Sequence, residues 1–153
     1  DGVVASMLIA EMAAYYAQKG KSLYEALQDI YKKYGFYAEK TVSFTMPGKD
    51  GMEKMANILA GLRTNPPKSA NGMDIVKYTD YKEQTIMLVD GSELPKSNVL
   101  RYDLSDGKTY FIIRPSGTEP KIKIYLGSNA ETFDAAMETV DAVLADVKEQ
   151  LRL

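Results

Sequence analysis

The run YFIIRPSGTEPKIKIYL, Tyr110–Leu126, decides how this chain of 153 residues is read. Its two ends are strand-like. Tyr110–Ile113 is aromatic and β-branched, and from Ile122 onward Ile122, Ile124 and Leu126 face one way while Lys121, Lys123 and Tyr125 face the other. The residues between, Arg114-Pro115-Ser116-Gly117-Thr118-Glu119-Pro120-Lys121, therefore form a loop at the end of a sheet. Their chemistry suits a phosphate group. Arg114 offers a planar fork that meets phosphate oxygens in pairs. Ser116 and Thr118 offer hydroxyl donors, and Gly117 lets backbone N–H groups come close to an anion. Pro115 and Pro120 stiffen both ends, so less entropy is lost when a ligand orders the loop. The same residue types also describe a rigid turn whose hydroxyls bond their own backbone.

Upstream of the loop, Ser105-Asp106-Gly107 joins two further strand patterns, Val99–Leu104 and Lys108–Arg114, as a hairpin. Downstream, Ser128-Asn129-Ala130-Glu131 reads as a capping box opening a long helix with Phe133, Met137, Val140, Leu144, Val147 and Leu151 on one face. At the other end of the chain, Val3 to about Gln18 is apolar on most faces, the pattern of a helix buried on several sides. Gly20 ends it. Ser22 and Glu25 form another capping box, and Leu23, Leu27, Ile30, Tyr31 and Tyr34 mark a second helix closed by Gly35, making an αα-hairpin.

Between these ends, Val42, Phe44 and Met46 alternate with polar neighbours as a half-buried strand. Asp50 is placed to cap a helix carrying Met52, Met55, Ala56, Leu59 and Leu62, which Asn65-Pro66-Pro67 stops. Asn71-Gly72 turns into a strand around Asp74–Tyr81, and in the polar stretch to Ser97 the run Ile86–Val89 has the pattern of a short strand. The order αα, then β-α-β-β-β-α, is an α+β layer structure with an antiparallel sheet and helices on one face.

Composition narrows the function. Net charge is −2 and pI is about 5.3, so no basic field invites nucleic acid or an anionic membrane, and an anion site must be made locally. Cysteine and histidine are both absent, which excludes thiolate metal sites and removes the commonest general base. Val3–Ala17 falls short of the ~20 residues of a membrane span and carries Glu11. These features fit a cytoplasmic protein. The start at Asp1, running at once into a helix, suggests a segment cut from a longer protein.

The run RPSGTEPKIKIY resembles the C-terminal phosphate-binding loop of the α-D-phosphohexomutases, the phosphoglucomutase/phosphomannomutase family. The Asn65-Pro66-Pro67 turn and the Asn98–Asp103 strand agree with it. The resemblance implies that residues 1–36 are the helical tail of a third domain and residues 37–153 a fourth, phosphate-binding domain. That domain is expected to have a TATA-binding-protein-like fold, a sheet of about four strands carrying two helices. It also implies that Arg114, Ser116, Gly117 and Thr118, with Lys121 nearby, hold the substrate phosphate that is not being transferred. Glu119 is expected to face outward or pair with Lys121, and Arg63 and Arg101 to form surface ion pairs.

In that family a phosphoserine passes its phosphoryl group to a hexose monophosphate through a bisphosphate intermediate, with Mg²⁺. Neither the serine loop nor the metal loop has a counterpart here. The resemblance therefore implies no catalytic and no metal-binding residue in this chain, and no turnover from it alone. The partners it implies are a hexose phosphate, the remaining mutase domains, Mg²⁺ and a hexose bisphosphate activator. The wording PSGTEPKIK and the long stretch Tyr81–Asn98 are more like phosphoglucomutases than phosphomannomutases. A reading from another class is a small nucleic-acid-binding module that stacks bases on Tyr125 beside Lys123; the acidic pI argues against it.

Overall fold

A computed structural model describes residues 1–153. Helices α1 (Gly2–Gln18) and α2 (Leu23–Tyr34) lead into β1 (Phe36–Thr45), α3 (Gly51–Thr64), β2 (Ser69–Ala70), β3 (Met73–Asp80), β4 (Leu100–Leu104), β5 (Tyr110–Pro115), β6 (Lys121–Ala130) and α4 (Phe133–Leu151). All strands pair antiparallel, in the order β1-β6-β5-β4-β3-β2. The α+β layer expectation holds. The sheet has six strands rather than about four, because β1 pairs along the full length of β6 and the Asn71-Gly72 turn adds the two-residue β2. Asn71 and Gly72 both have positive φ, the geometry of a tight hairpin turn that asparagine and glycine tolerate.

One face of the sheet carries the core. Ile122, Ile124 and Leu126 of β6, Phe111 and Ile113 of β5, and Leu100, Tyr102 and Leu104 of β4 pack under Met55, Leu59 and Leu62 of α3 and Ala136, Val140, Val143 and Val147 of α4. The strict alternation of β5 and β6 is what allows this, since period two sends every second side chain to the same face. Lys40 of β1, at the edge of that face, pairs with Asp141 of α4 at 2.6 Å. The opposite face is open and carries Thr41, Ser43, Ile112, Arg114, Lys123 and Tyr125.

Several sequence expectations change. No residue of α1 is buried, and Val4, Met7, Leu8 and Met12 lie exposed. The helix is apolar all round, yet within this chain its main neighbour is α2, which covers one side of it. Ser128 is not a helix cap. Pairing of β6 with β1 runs on to Ala130, which turns Ser128 into the core, where its hydroxyl bonds that of Thr109 at 2.8 Å. Thr132 caps α4 instead, accepting from the Ala135 amide. Asp50 precedes α3 with a turn-like backbone, so its side chain caps no amide, and Met52 is exposed whereas Met55 is core. Ile86–Val89 is a turn with a single bridge between Met87 and Glu93. The Ser22–Glu25 capping box forms with both bonds present. No helix is long and apolar enough to cross a membrane.

Candidate functional site

Strands β5 and β6 deliver the loop at one end of the sheet, as their alternation requires. Arg114 follows buried Ile113, so the pleat turns its guanidinium to the open face. Lys123 stands directly opposite it in the register. Neither cation has an ion-pair partner, whereas Arg63 and Arg101 are bound to Asp80 and Asp103. Two unpaired like charges side by side are unfavourable in themselves, and an anion between them would relieve the repulsion.

Inside the loop the Ser116 amide donates to the Lys121 carbonyl at 2.8 Å and closes the turn. The Ser116 hydroxyl accepts from the Thr118 and Glu119 amides at 3.4 and 3.3 Å. The turn reading is therefore partly realised, but these bonds are long for N–H···O contacts and correspondingly weak. The far end is tied down by the Met46 amide donating to the Pro120 carbonyl at 2.7 Å. Gly117 is not among the glycines with positive φ, and a Cβ placed there would meet nothing within 4 Å. Nothing inside the chain demands glycine at that position.

The site residues divide in two. Arg114, Pro115, Ser116 and Gly117 share a cavity of about 470 Å³ with Ser97, Asn98 and Val99, whereas Thr118 and Lys121 lie outside its lining. Lys121 pairs with Glu119 at 3.0 Å, as expected for that glutamate. Larger cavities sit elsewhere. One of about 500 Å³ lies between the ends of α3 and α4, lined by Leu62, Pro66, Phe111 and Val147 together with Asn65, Lys68 and Gln150. No three acidic side chains converge in a group of the kind that holds a metal ion.

Residues 9–147 match the family described as phosphoglucomutase/phosphomannomutase, C-terminal domain. The chain belongs to this family. Among curated relatives, phosphoglucomutase of Staphylococcus aureus is 32% identical over 149 residues, which cover 94% of this chain and 27% of that protein. Phosphoglucomutase of Staphylococcus saprophyticus is 34% identical over 130 residues, covering 82% and 23%. The solved open form of Paramecium pp63/parafusin, a phosphoglucomutase, matches in fold with a TM-score of 0.62 at 20% identity, over 99% of this chain and 26% of that one. The chain thus spans about a quarter of the length of the relatives it matches.

In this phosphoglucomutase/phosphomannomutase C-terminal domain, sequence reasoning missed Ser97 and Asn98 as neighbours of the loop. A signal existed. Leu100 pairs with Ile113, so a residue two before Leu100 comes level with Pro115, two beyond Ile113. It also misjudged Arg63. Its partner Asp80 is buried, at 5% side-chain exposure, and Arg63 donates to it through Nε at 2.7 Å and through Nη2 at 3.4 Å. Burial pushes the Asp80 carboxyl up, but Arg63 and the Lys82 and Glu83 amides outweigh this and hold it below the usual carboxylate range. Arg101 does form the expected ion pair, donating to Asp103 at 2.7 Å while its guanidinium stacks over Tyr110 at 4.4 Å. Tyr125 and Lys123 do stand on the open face, but opposite Ile112 and Arg114 of β5 rather than opposite a second aromatic side chain.

Proposed function

We propose that this chain is the substrate-phosphate-binding part of a phosphohexomutase, most like a phosphoglucomutase, and that its loop clamps the phosphate that is not being transferred. The observation that carries the reading is the convergence of Arg114, which has no ion-pair partner, with Ser116 and Gly117 on one open cavity. Arg114 supplies paired charge-assisted bonds. Ser116, whose own acceptor contacts are weak, can turn its hydroxyl proton to a phosphate oxygen. Gly117 leaves open space where a ligand comes against the backbone. Thr118 and Lys121 complete the loop, Lys121 after exchanging its Glu119 contact for the ligand.

A clamp of this kind is indifferent to which end of the sugar carries the phosphate. That suits a hexose 1-phosphate and 6-phosphate interconverted through a bisphosphate that must turn around. Holding the remote phosphate converts binding energy into alignment of the reacting one. The phosphoserine, Mg²⁺, bisphosphate activator and sugar-reading groups belong to the rest of such a cytoplasmic enzyme, and the 153 residues alone are inactive. We read residues 1–36 as the helical tail of the preceding domain, because α1 has no buried residue of its own, and residues 37–153 as the phosphate-binding domain.

Amide-shift titrations with glucose 1-phosphate, glucose 6-phosphate and inorganic phosphate, beside Arg114→Ala, test this. The expected result is the same set of shifts in residues 114–121 for all three ligands, lost in the variant. Shifts that persist in Arg114→Ala, or that appear with one sugar phosphate alone, would overturn the clamp.

A further inference from the structure

The cavity beside the loop has two more polar side chains, Ser97 and Asn98, and the orientation of Asn98 is imposed from behind. Asn98 is exposed at the cavity wall, and its Oδ1 accepts from Arg63 Nη2 at 2.6 Å. A guanidinium has no acceptor, so the end of the amide facing Arg63 must be the oxygen. The NH₂ end is then directed away from Arg63 and has no partner of its own in the chain.

The support behind Asn98 is rigid. Arg63 is held on the buried Asp80 by two bonds, and Asp80 accepts in turn from the Lys82 amide at 2.9 Å. The backbone on either side of Asn98 is pinned as well. The Tyr81 amide donates to the Val99 carbonyl at 3.0 Å and the Ser97 amide to the Tyr81 carbonyl at 3.1 Å. Because Asp80 neutralises Arg63, this guanidinium adds little net charge to the cavity. Its effect is geometric.

We propose that Asn98 is a further phosphate-binding residue and that Arg63 is the positioning residue that makes it a donor. This rests on the phosphate-clamp reading of the loop. With Arg63 in place, the Asn98 NH₂ joins Arg114 and Ser116 in donating to the anion. Without it, the amide can rotate and present its oxygen, which repels phosphate.

The test is a titration of the ¹⁵N-labelled 153-residue chain with inorganic phosphate, following the loop amides and the Asn98 side-chain NH₂ together. In the wild type the Asn98 NH₂ signals are expected to move with the same Kd as the loop amides. Asn98→Asp still accepts from Arg63, so it should keep the thermal midpoint near wild type while weakening phosphate binding about tenfold or more. Arg63→Met should weaken binding to a similar degree, and Arg63→Lys, which still donates, should recover part of it. Because Arg63 acts through Asn98, adding Arg63→Met to Asn98→Ala should cost no further affinity. Should Arg63→Met fail to fold around an unpaired Asp80, the two Asn98 variants decide alone. Unchanged affinity in Asn98→Asp and Asn98→Ala, with binding lost in Arg114→Ala, would overturn this inference and leave the clamp standing. No Arg114-dependent binding in the wild type would overturn the clamp, and this inference with it.

Discussion

Tyr102→Phe should make this protein more stable. Tyr102 is 0% exposed, and its ring is stacked on Phe111 at 4.6 Å and faces Tyr78 at 5.1 Å. Its hydroxyl has no hydrogen-bond partner. Burial pushes the phenol pKa upward, so the group stays protonated as a donor without an acceptor. Leaving a buried polar group unsatisfied costs about 1–3 kcal/mol. Phenylalanine removes that penalty and keeps the ring contacts. The void left by one oxygen, on the order of 10 Å³ at about 24 cal/mol per Å³, costs only about 0.2 kcal/mol. The balance is a gain of about 1 kcal/mol or more, which for a chain of this size raises the thermal midpoint by roughly 2–4 °C per kcal/mol. Urea unfolding should show a higher midpoint with an unchanged slope. A loss of about 1 kcal/mol would refute the reasoning, because it would mean that the hydroxyl makes a favourable bond, for example through a buried water.

Gly51 and Gly61, both in α3, should respond to alanine with opposite signs. A Cβ at Gly51 would lie 2.3 Å from the Met46 carbonyl oxygen and 2.9 Å from Pro120 Cβ, so Gly51→Ala should cost about 1–3 kcal/mol and disturb the far end of the Arg114–Lys121 loop. A Cβ at Gly61 meets nothing within 4 Å, so Gly61→Ala should stabilise by about 0.4–1 kcal/mol; paired urea melts separate the two. Stability should also fall at acid pH through Asp80 and Asp106. Burial raises both, but Arg63 at Asp80, the Thr109 hydroxyl at Asp106 and neighbouring amides more than offset it, leaving both depressed. Their stabilising contribution is complete above roughly pH 5 and is lost as pH falls through about 4 and below. Asp106→Asn should flatten that acid limb in urea midpoints taken from pH 3 to 7; an unchanged limb would count against the assignment.

Much of the fold was legible because its determinants are local. Alternation in β5 and β6 placed Ile122, Ile124 and Leu126 in the core, and the Ser22–Glu25 cap and the Asn71-Gly72 turn formed where their chemistry pointed. The misses share a cause. Ser128-Asn129-Ala130-Glu131 has the composition of a capping box, but pairing with Ala38 of β1, 90 residues away in sequence, holds Ser128 in the sheet. Strand pairing over that distance leaves no local signature, and it outweighed a propensity worth about 1 kcal/mol.

The candidate site divides along the same line. The run Arg114–Lys121 points to a family without any coordinates, and its residue types suit a phosphate as well as a rigid turn, since both are properties of one contiguous run. Which guanidinium stays unpaired is a different matter. Arg63, Arg101 and Arg114 are alike as letters, and only the folded chain sets buried Asp80 beside the first, Asp103 beside the second and no acid beside the third. Asn98 joins the loop for the same reason: β4 lies next to β5, and the side chain of α3 that reaches across fixes its direction. Charges and amides acquire their roles from neighbours brought in over long loops, and that pairing is decided by the packing of the whole sheet.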